Sequence, residues 1–358
     1  MTSPNNNISS QNKSFCFCLY IDWKRFRGKN FKHLYNLMRE LTKHLREDIT
    51  AWIGLFCPLC FAERDKIYHD GTEGRKHSNH VTRYYCSVCG NHFCDRTLNP
   101  FYRKQYPETV ILCSLVLYYE LERSPEEISR SVGLPVESGI RYPTAETIYG
   151  WISEYSYLFA IGGRDIPIKE EFREADELYK RVDGMRAYTL GTESRESKLV
   201  VLEDCWSNDK KTLKEFLSLA VSRFRTVPSR CDTDGWHSYG TLLEKLGIER
   251  GIVHHFKEWK SVEGYHTNNM ERFWEDYRSW ERKARGYKRI ENSSVYTVAY
   301  ETFHNFLRPH LSLDKRTPYE HYMQANPSLS WHYIVVRGLL CAEHGWREDE
   351  LKALSIPD

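Results

Sequence analysis

Two short cysteine pairs constrain this chain of 358 residues more than any other feature: Cys57-Pro58-Leu59-Cys60 and Cys86-Ser87-Val88-Cys89-Gly90. A C-x2-C turn places two thiolates on one side of a tight loop, and two such turns supply a tetrahedral set. Four soft thiolates suit zinc, and a short segment poor in strands draws its folding energy from the metal. We expect a zinc ribbon over 51–106, with Cys57, Cys60, Cys86 and Cys89 holding a structural zinc ion and His92 or Cys94 as alternative ligands. The odd total of 11 cysteines, clustered as they are, speaks against a secreted disulfide framework. Cys16 and Cys18 sit among Phe and Tyr and read as small core residues.

A hydrophobic content of 41% is enough to bury a core and to divide into two or three domains. The longest apolar run, Val110 to Tyr119, falls far short of the roughly 20 residues a membrane helix needs. Met1 to Ser14 is rich in Asn and Ser and lacks the charged-then-apolar design of a secretory signal, so it reads as a disordered lead. Net charge is +2, so a polyanionic partner has to be argued from local clusters. One runs from Lys24 to Arg46, and a second holds Arg272, Arg278, Arg282, Lys283, Arg285, Lys288 and Arg289. A charge run of this kind is more commonly a solvated helix face.

The apolar spacing of Leu34, Leu37, Met38, Leu41 and Leu45 predicts a basic amphipathic helix within 1–50. In 107–160 a buried helix is expected from Pro107 to Leu121, followed by one opened by Ser124-Pro125-Glu126-Glu127, a capping box with proline at the first helical position. After a loop over Gly133 to Pro143, Thr144 caps a further helix to about Leu158. The pair is a candidate helix-turn-helix whose second member would present Thr144, Glu146, Thr147 and Tyr149 to DNA bases, although its linker is longer than the standard turn. A bland helical subdomain is the other reading. From 170 to 325 the pattern is three short strands, helix, strand, helix, strand, a mixed α/β order. A charged helix begins near Asn268, and 326–358 forms a C-terminal tail.

Three acids fall where rigid elements could fix their oxygens: Asp176 at the start of the first strand, Asp234 just after the fourth, and Glu271 in the first turn of the charged helix. Among 49 acids their spacing alone is unremarkable. The segments Ala175-Asp176-Glu177-Leu178-Tyr179, Thr233 to Tyr239 and Asn268-Asn269-Met270-Glu271 resemble, in that order, the three catalytic motifs of insertion-sequence DDE transposases. The likeness is to the group called IS six and, more distantly, to IS one. It extends from Cys57 to Pro318, and the tail Asn305 to Leu313 also looks like the end of such domains. Leu178 departs from the pattern, standing where Thr is common.

The resemblance implies an RNase H-like, integrase-like catalytic domain whose mixed sheet has three antiparallel and two parallel strands flanked by helices. It implies DNA end cleavage and strand transfer with two Mg²⁺ or Mn²⁺ ions held by Asp176, Asp234 and Glu271, element terminal repeats and target DNA as partners, and a homodimer or larger assembly without membrane involvement. A prokaryotic, cytoplasmic, nucleoid-associated location follows from the same likeness. Asp183 is an alternative first carboxylate, although it precedes Gly184 in an apparent turn. Asp232 shares a strand face with Asp234 and could support it, and His254 or His255 could meet substrate phosphate. The rival functions are an RNase H-like nuclease that cleaves without joining, and a domesticated, non-catalytic zinc and helix-turn-helix regulator.

Overall fold

In the computed structural model the described residues are chiefly 64–75, 78–94, 104–164, 172–223, 227–253, 267–284 and 286–323, with isolated positions elsewhere, among them Cys57 and Cys60. The expected helix over Leu34 to Leu45, Cys16 and Cys18, His254 and His255, Arg285 and most of 326–358 lie outside them. The chain forms two compact units, Met1–Lys43 with Arg103–Ser153 and His44–Tyr102 with Glu154–Asp358. This division differs from the linear succession of domains read from the sequence.

In the first unit β1 (Tyr20–Ile21) pairs antiparallel with β5 (Val132–Val136), which pairs with β6 (Gly139–Arg141). Before β5 come α1 (Glu108–Tyr119) and α2 (Pro125–Ser129). Helix α1 is apolar on every side and buried from Val110 to Tyr119. The capping box forms as expected, with Glu127 N–H donating to Ser124 Oγ and Ser124 N–H to the Glu127 carboxylate. Thr144 Oγ1 likewise accepts from Thr147 N–H at the start of α3 (Ala145–Arg164), within which the division between the units falls. The segment expected as a loop between the helices is a β-hairpin. Its Gly and Pro content masked two strands too short to reveal an alternation.

The second unit carries the ribbon sheet β2 (Ile67–Arg75), β3 (Ser78–Cys86) and β4 (His92–Cys94). A ribbon poor in strands was the expectation. The β2–β3 hairpin is instead long, with His69 against Tyr84 across it, while Tyr84 with Phe93 and Tyr85 with His92 join β3 to β4.

The main sheet is five-stranded: β7 (Phe172–Val182), β8 (Met185–Ser194), β9 (Val200–Cys205), β10 (Arg230–Asp234) and β11 (Glu249–Val253), in the order β11-β10-β7-β8-β9. Strands β7, β8 and β9 are antiparallel, whereas β10 joins β7 and β11 in parallel. This is the expected mixed sheet of three antiparallel and two parallel strands, flanked by helices. The β7–β8 turn places Asp183 and Gly184 at φ 51° and 76°, the left-handed pair a two-residue hairpin requires. Asp183 is thus a turn residue, away from the strand position of Asp176.

Four helices pack on the sheet: α4 (Lys210–Arg223), α5 (His237–Lys245), α6 (Asn268–Glu281) and α7 (Ile290–Thr302). Alternation divides β7 between them. Glu177 meets Tyr239 of α5, whereas Glu174, Asp176 and Lys180 meet α6 or α7. A buried carboxylate, Asp204 on β9, accepts from Lys180, Thr189, Ser293 and Thr297, joining α7 to the sheet. The outer side of β9 is also satisfied. Val200 N–H donates to Asn305 Oδ1 (2.8 Å) and Leu202 N–H to Glu301 Oε2 (2.7 Å), so side chains occupy positions where another strand would add. The last described helix is α8 (Pro318–Met323), and no described helix is long and apolar enough to cross a membrane.

Candidate metal centre and active site

The four ribbon cysteines converge. Cys57 Sγ lies 3.5 Å from Cys89 Sγ, Cys60 Sγ lies 3.5 Å from Cys86 Sγ, and all four sulfurs fall within 4.8 Å of one another. A zinc–sulfur tetrahedron with bonds of about 2.3 Å has edges of about 3.8 Å, so this spacing suits a shared ion. Gly90 at φ +73° closes the second knuckle and donates its N–H to the Cys86 carbonyl, a conformation side chains disfavour. His92 instead bonds Asp70 (2.7 Å), and Cys94 bonds Thr97, so neither belongs to the set.

On the main sheet, Asp176 lies in the middle of β7 rather than at its start, because the strand begins at Phe172. The parallel register pairs Arg230 with Phe172 and continues to Thr233 with Ala175. Asp234, the last residue of β10, therefore stands one step on, level with Asp176 on the same face. Its Oδ1 accepts from Trp236 N–H (2.9 Å), while Arg250 donates to the Asp234 and Trp236 carbonyls (2.8 and 2.7 Å), clamping the turn.

Helix α6 packs on the same face: its first turn, which carries the exposed Glu271, bonds Glu174, two residues before Asp176. Gly191, paired with Asp176 across β7–β8, brings the helix close. A Cβ there would stand 2.6 Å from Trp274 and 2.8 Å from Met270, so only a bare backbone lets α6 settle beside the aspartate. Trp274 then donates its Nε1–H to Asp176 Oδ2 (3.1 Å).

Among the described residues, only the cysteines gather three or more donors within 4.8 Å, so Asp176, Asp234 and Glu271 do not converge that tightly. A two-cation site spreads its ligands wider than a single ion does, since the ions themselves stand about 3.5–4 Å apart. Three carboxylates from separate elements, two of them level on neighbouring strands, fit such a pair in donor chemistry.

Sequence reasoning singled out Asp232 but missed its partners in an acidic row two residues earlier on the same face, where Asp232, Glu174 and Glu193 lie side by side on β10, β7 and β8. It has its own counter-ions. Arg195 bonds Asp232 (2.6 Å) and lies 3.5 Å from Glu174, while Arg230 bonds Asp232 (2.9 Å). Burial pushes the Glu193 carboxyl up to about 8. The available signal was the two-residue step from Glu174 to Asp176, which puts both on one face.

Glu177 points to the opposite face and accepts from the Tyr239 hydroxyl (3.1 Å). Burial first, and then the charges of Asp176 and Asp234, push its carboxyl up to about 7. Folding then favours the protonated form, so stability from this group is present below about pH 4.5 and is lost as pH rises towards 7. Glu177→Gln is expected to melt above the parent at pH 8, by about 2 kcal/mol of stability once partial exposure is allowed for, and to match it at pH 4. Thermal denaturation at the two pH values checks this; an equal difference at both would show that the carboxyl is not raised.

Of the residues expected to meet DNA, Thr144 and Glu146 are exposed, Thr147 and Tyr149 half-buried, and Arg272, Arg278, Arg282 and Lys288 exposed, with Lys283 half-buried.

No protein-family model matches the sequence, and no curated protein does. Among the solved structures that match are three distant likenesses. The cryoEM structure of simian T-cell lymphotropic virus intasome in complex with PP2A regulatory subunit B56 gamma is 10% identical, with a TM-score of 0.37; the match covers 44% of this chain and 56% of that chain. The HTLV-2 integrase catalytic core domain in complex with magnesium, trimeric form, is 9% identical with a TM-score of 0.34 over 43% of this chain and 97% of that chain. Its dimeric form is 10% identical with a TM-score of 0.32, over 44% and 98%.

Proposed function

We propose that the chain is a DNA transposase of the insertion-sequence kind, which cuts the ends of an element and joins them to target DNA. The observation that supports this reading is that Asp176 and Asp234 stand level on neighbouring parallel strands, on the face against which the helix carrying Glu271 packs. All three stand in motifs resembling those of such enzymes. Asp176, Asp234 and Glu271 would hold two Mg²⁺ or Mn²⁺ ions, which supply activation of the attacking oxygen and stabilisation of the leaving one.

The protein's own part is positioning. Asp176 is fixed by the sheet and by Trp274, and Asp234 by the Arg250-clamped turn, so their oxygens need little rearrangement when a phosphodiester arrives. In the first reaction a water oxygen bonds to phosphorus as the bond to the 3′ oxygen breaks, and that oxygen takes a proton to leave as a 3′-hydroxyl. In the second this hydroxyl attacks a target phosphate, giving up its proton and displacing a new 3′-hydroxyl. Arg272, Arg278, Arg282, Lys283, Arg285 and Lys288 would meet backbone phosphates, whereas Thr144, Glu146, Thr147 and Tyr149 would meet bases. Joining two ends calls for a homodimer or larger assembly.

The test is incubation of the full chain and Mg²⁺ with a labelled duplex bearing the DNA that flanks its reading frame, together with a target plasmid. Labelled strands joined to the plasmid support transposition. Cleaved ends without joining would leave a nuclease, and binding without cleavage a regulator.

A further inference from the structure

Two residues before Asp176, Glu174 is fully buried, and its carboxylate bonds the start of α6. Its Oε2 accepts the backbone N–H of Asn269 (3.0 Å) and Met270 (3.3 Å), and its Oε1 accepts Nδ2 of the Asn269 side chain (2.9 Å). These are first-turn donors of α6, which no preceding helical carbonyl can satisfy, and a negative charge at a helix N-terminus is favoured besides. The next residue is Glu271. Resting on the proposed reading of the site, we infer that Glu174 is a positioning residue: a strand carboxylate that sets the height and rotation of the α6 first turn, and so of Glu271, relative to the sheet that carries Asp176 and Asp234.

The neighbouring groups fit that role. Glu174 is paired across the sheet with Asp232 on one side and Glu193 on the other, and Arg195 reaches both Glu174 and Asp232. Gly251 on β11 leaves the room this needs, since a Cβ there would stand 2.0 Å from Asp232 Oδ1. The Asn-Asn of the third motif gains a physical reason too. Asn269 supplies both a main-chain and a side-chain donor to one carboxylate, whereas Asp at that position would set two anions together. The row Asp232–Glu174–Glu193 is thus charge-balanced scaffolding, and the row Asp234–Asp176 beside it is left for cations.

The experiment compares the full-length parent with Glu174→Gln, Asn269→Ala, the double variant and Glu271→Gln. Mn²⁺ alone is titrated calorimetrically without DNA, turnover and KM for end cleavage are measured against Mg²⁺ concentration, and melting is followed in parallel. An amide at 174 cannot accept all three donors. Glu174→Gln should therefore weaken Mn²⁺ binding about tenfold or more and lower kcat while leaving KM for DNA unchanged. Asn269→Ala should move the same quantities, and the double variant should be no worse than the stronger single one, because both act through one contact. Parental Mn²⁺ affinity and kcat in both single variants would overturn the inference. A lowered melting temperature with unchanged Mn²⁺ binding would do so as well, reducing Glu174 to a helix cap. Glu271→Gln separates the two levels: if it keeps parental Mn²⁺ binding and activity, the site reading itself fails, whereas if it alone is impaired only the role of Glu174 falls.

Discussion

Asp176→Asn, Asp234→Asn and Glu271→Gln should each lower DNA cleavage by about a thousandfold or more while leaving the fold intact. Each replacement removes a charge that holds a cation, and several kcal/mol of transition-state charge stabilisation goes with it; at 1.36 kcal/mol per decade that reaches about three decades. The two aspartate variants carry a second signature. Their charges help to push the Glu177 carboxyl up, so their loss brings that carboxyl down and relieves repulsion. Both should melt at or above the parental temperature near pH 8, which separates a lost ligand from a damaged fold. Cleavage rates and melting curves on the same preparations check both parts. Full activity in any one variant would remove that residue from the site.

The second large effect concerns the ribbon. Elemental analysis should find about one zinc per chain, and Cys57→Ser or Cys86→Ser should abolish its retention. Four thiolates brought within 4.8 Å without a cation would repel one another as they ionise, and apolar support at the knuckles is small: Phe93 is the one buried residue beside Cys57 and Cys86 in that cluster. Structural zinc is worth on the order of 10 kcal/mol in such small folds. Chelation should therefore make residues 57–94 sensitive to protease, whereas strands β7 to β11, which bury their own core, stay protected. Unchanged proteolysis after chelation would show that the ribbon stands without metal.

The ease of reading these elements from sequence followed the range of the forces involved. Ser124 with Glu127, Asp183 with Gly184 and the two cysteine knuckles are local, and each formed where its chemistry placed it. Strands β7 and β8 were legible because they are long, and β9 because it is strongly apolar. Strands β5 and β6 were not, since Gly133, Pro135 and Gly139 read as breakers and only pairing with each other and with β1 makes them strands. Polar β2 escaped for the same reason. Asp176 and Asp234 stood out through motif likeness, while Glu174 did not: a buried carboxylate on a strand gives no local sign that its partners lie 95 residues away on α6. The role of Gly191 was equally hidden, because the clash it avoids is with Trp274.

The pairing of Tyr20–Ile21 with Val132 and Gly133 has a practical bearing on any attempt to dissect the molecule. Removing residues 1–50 would strip β5 of a neighbour and bare main-chain amides for stray chains to capture. Expression of the ribbon and catalytic half alone leaves that pairing out altogether, whereas a truncated product retaining residues 103–153 should clump unless Tyr20 and Ile21 are retained with it.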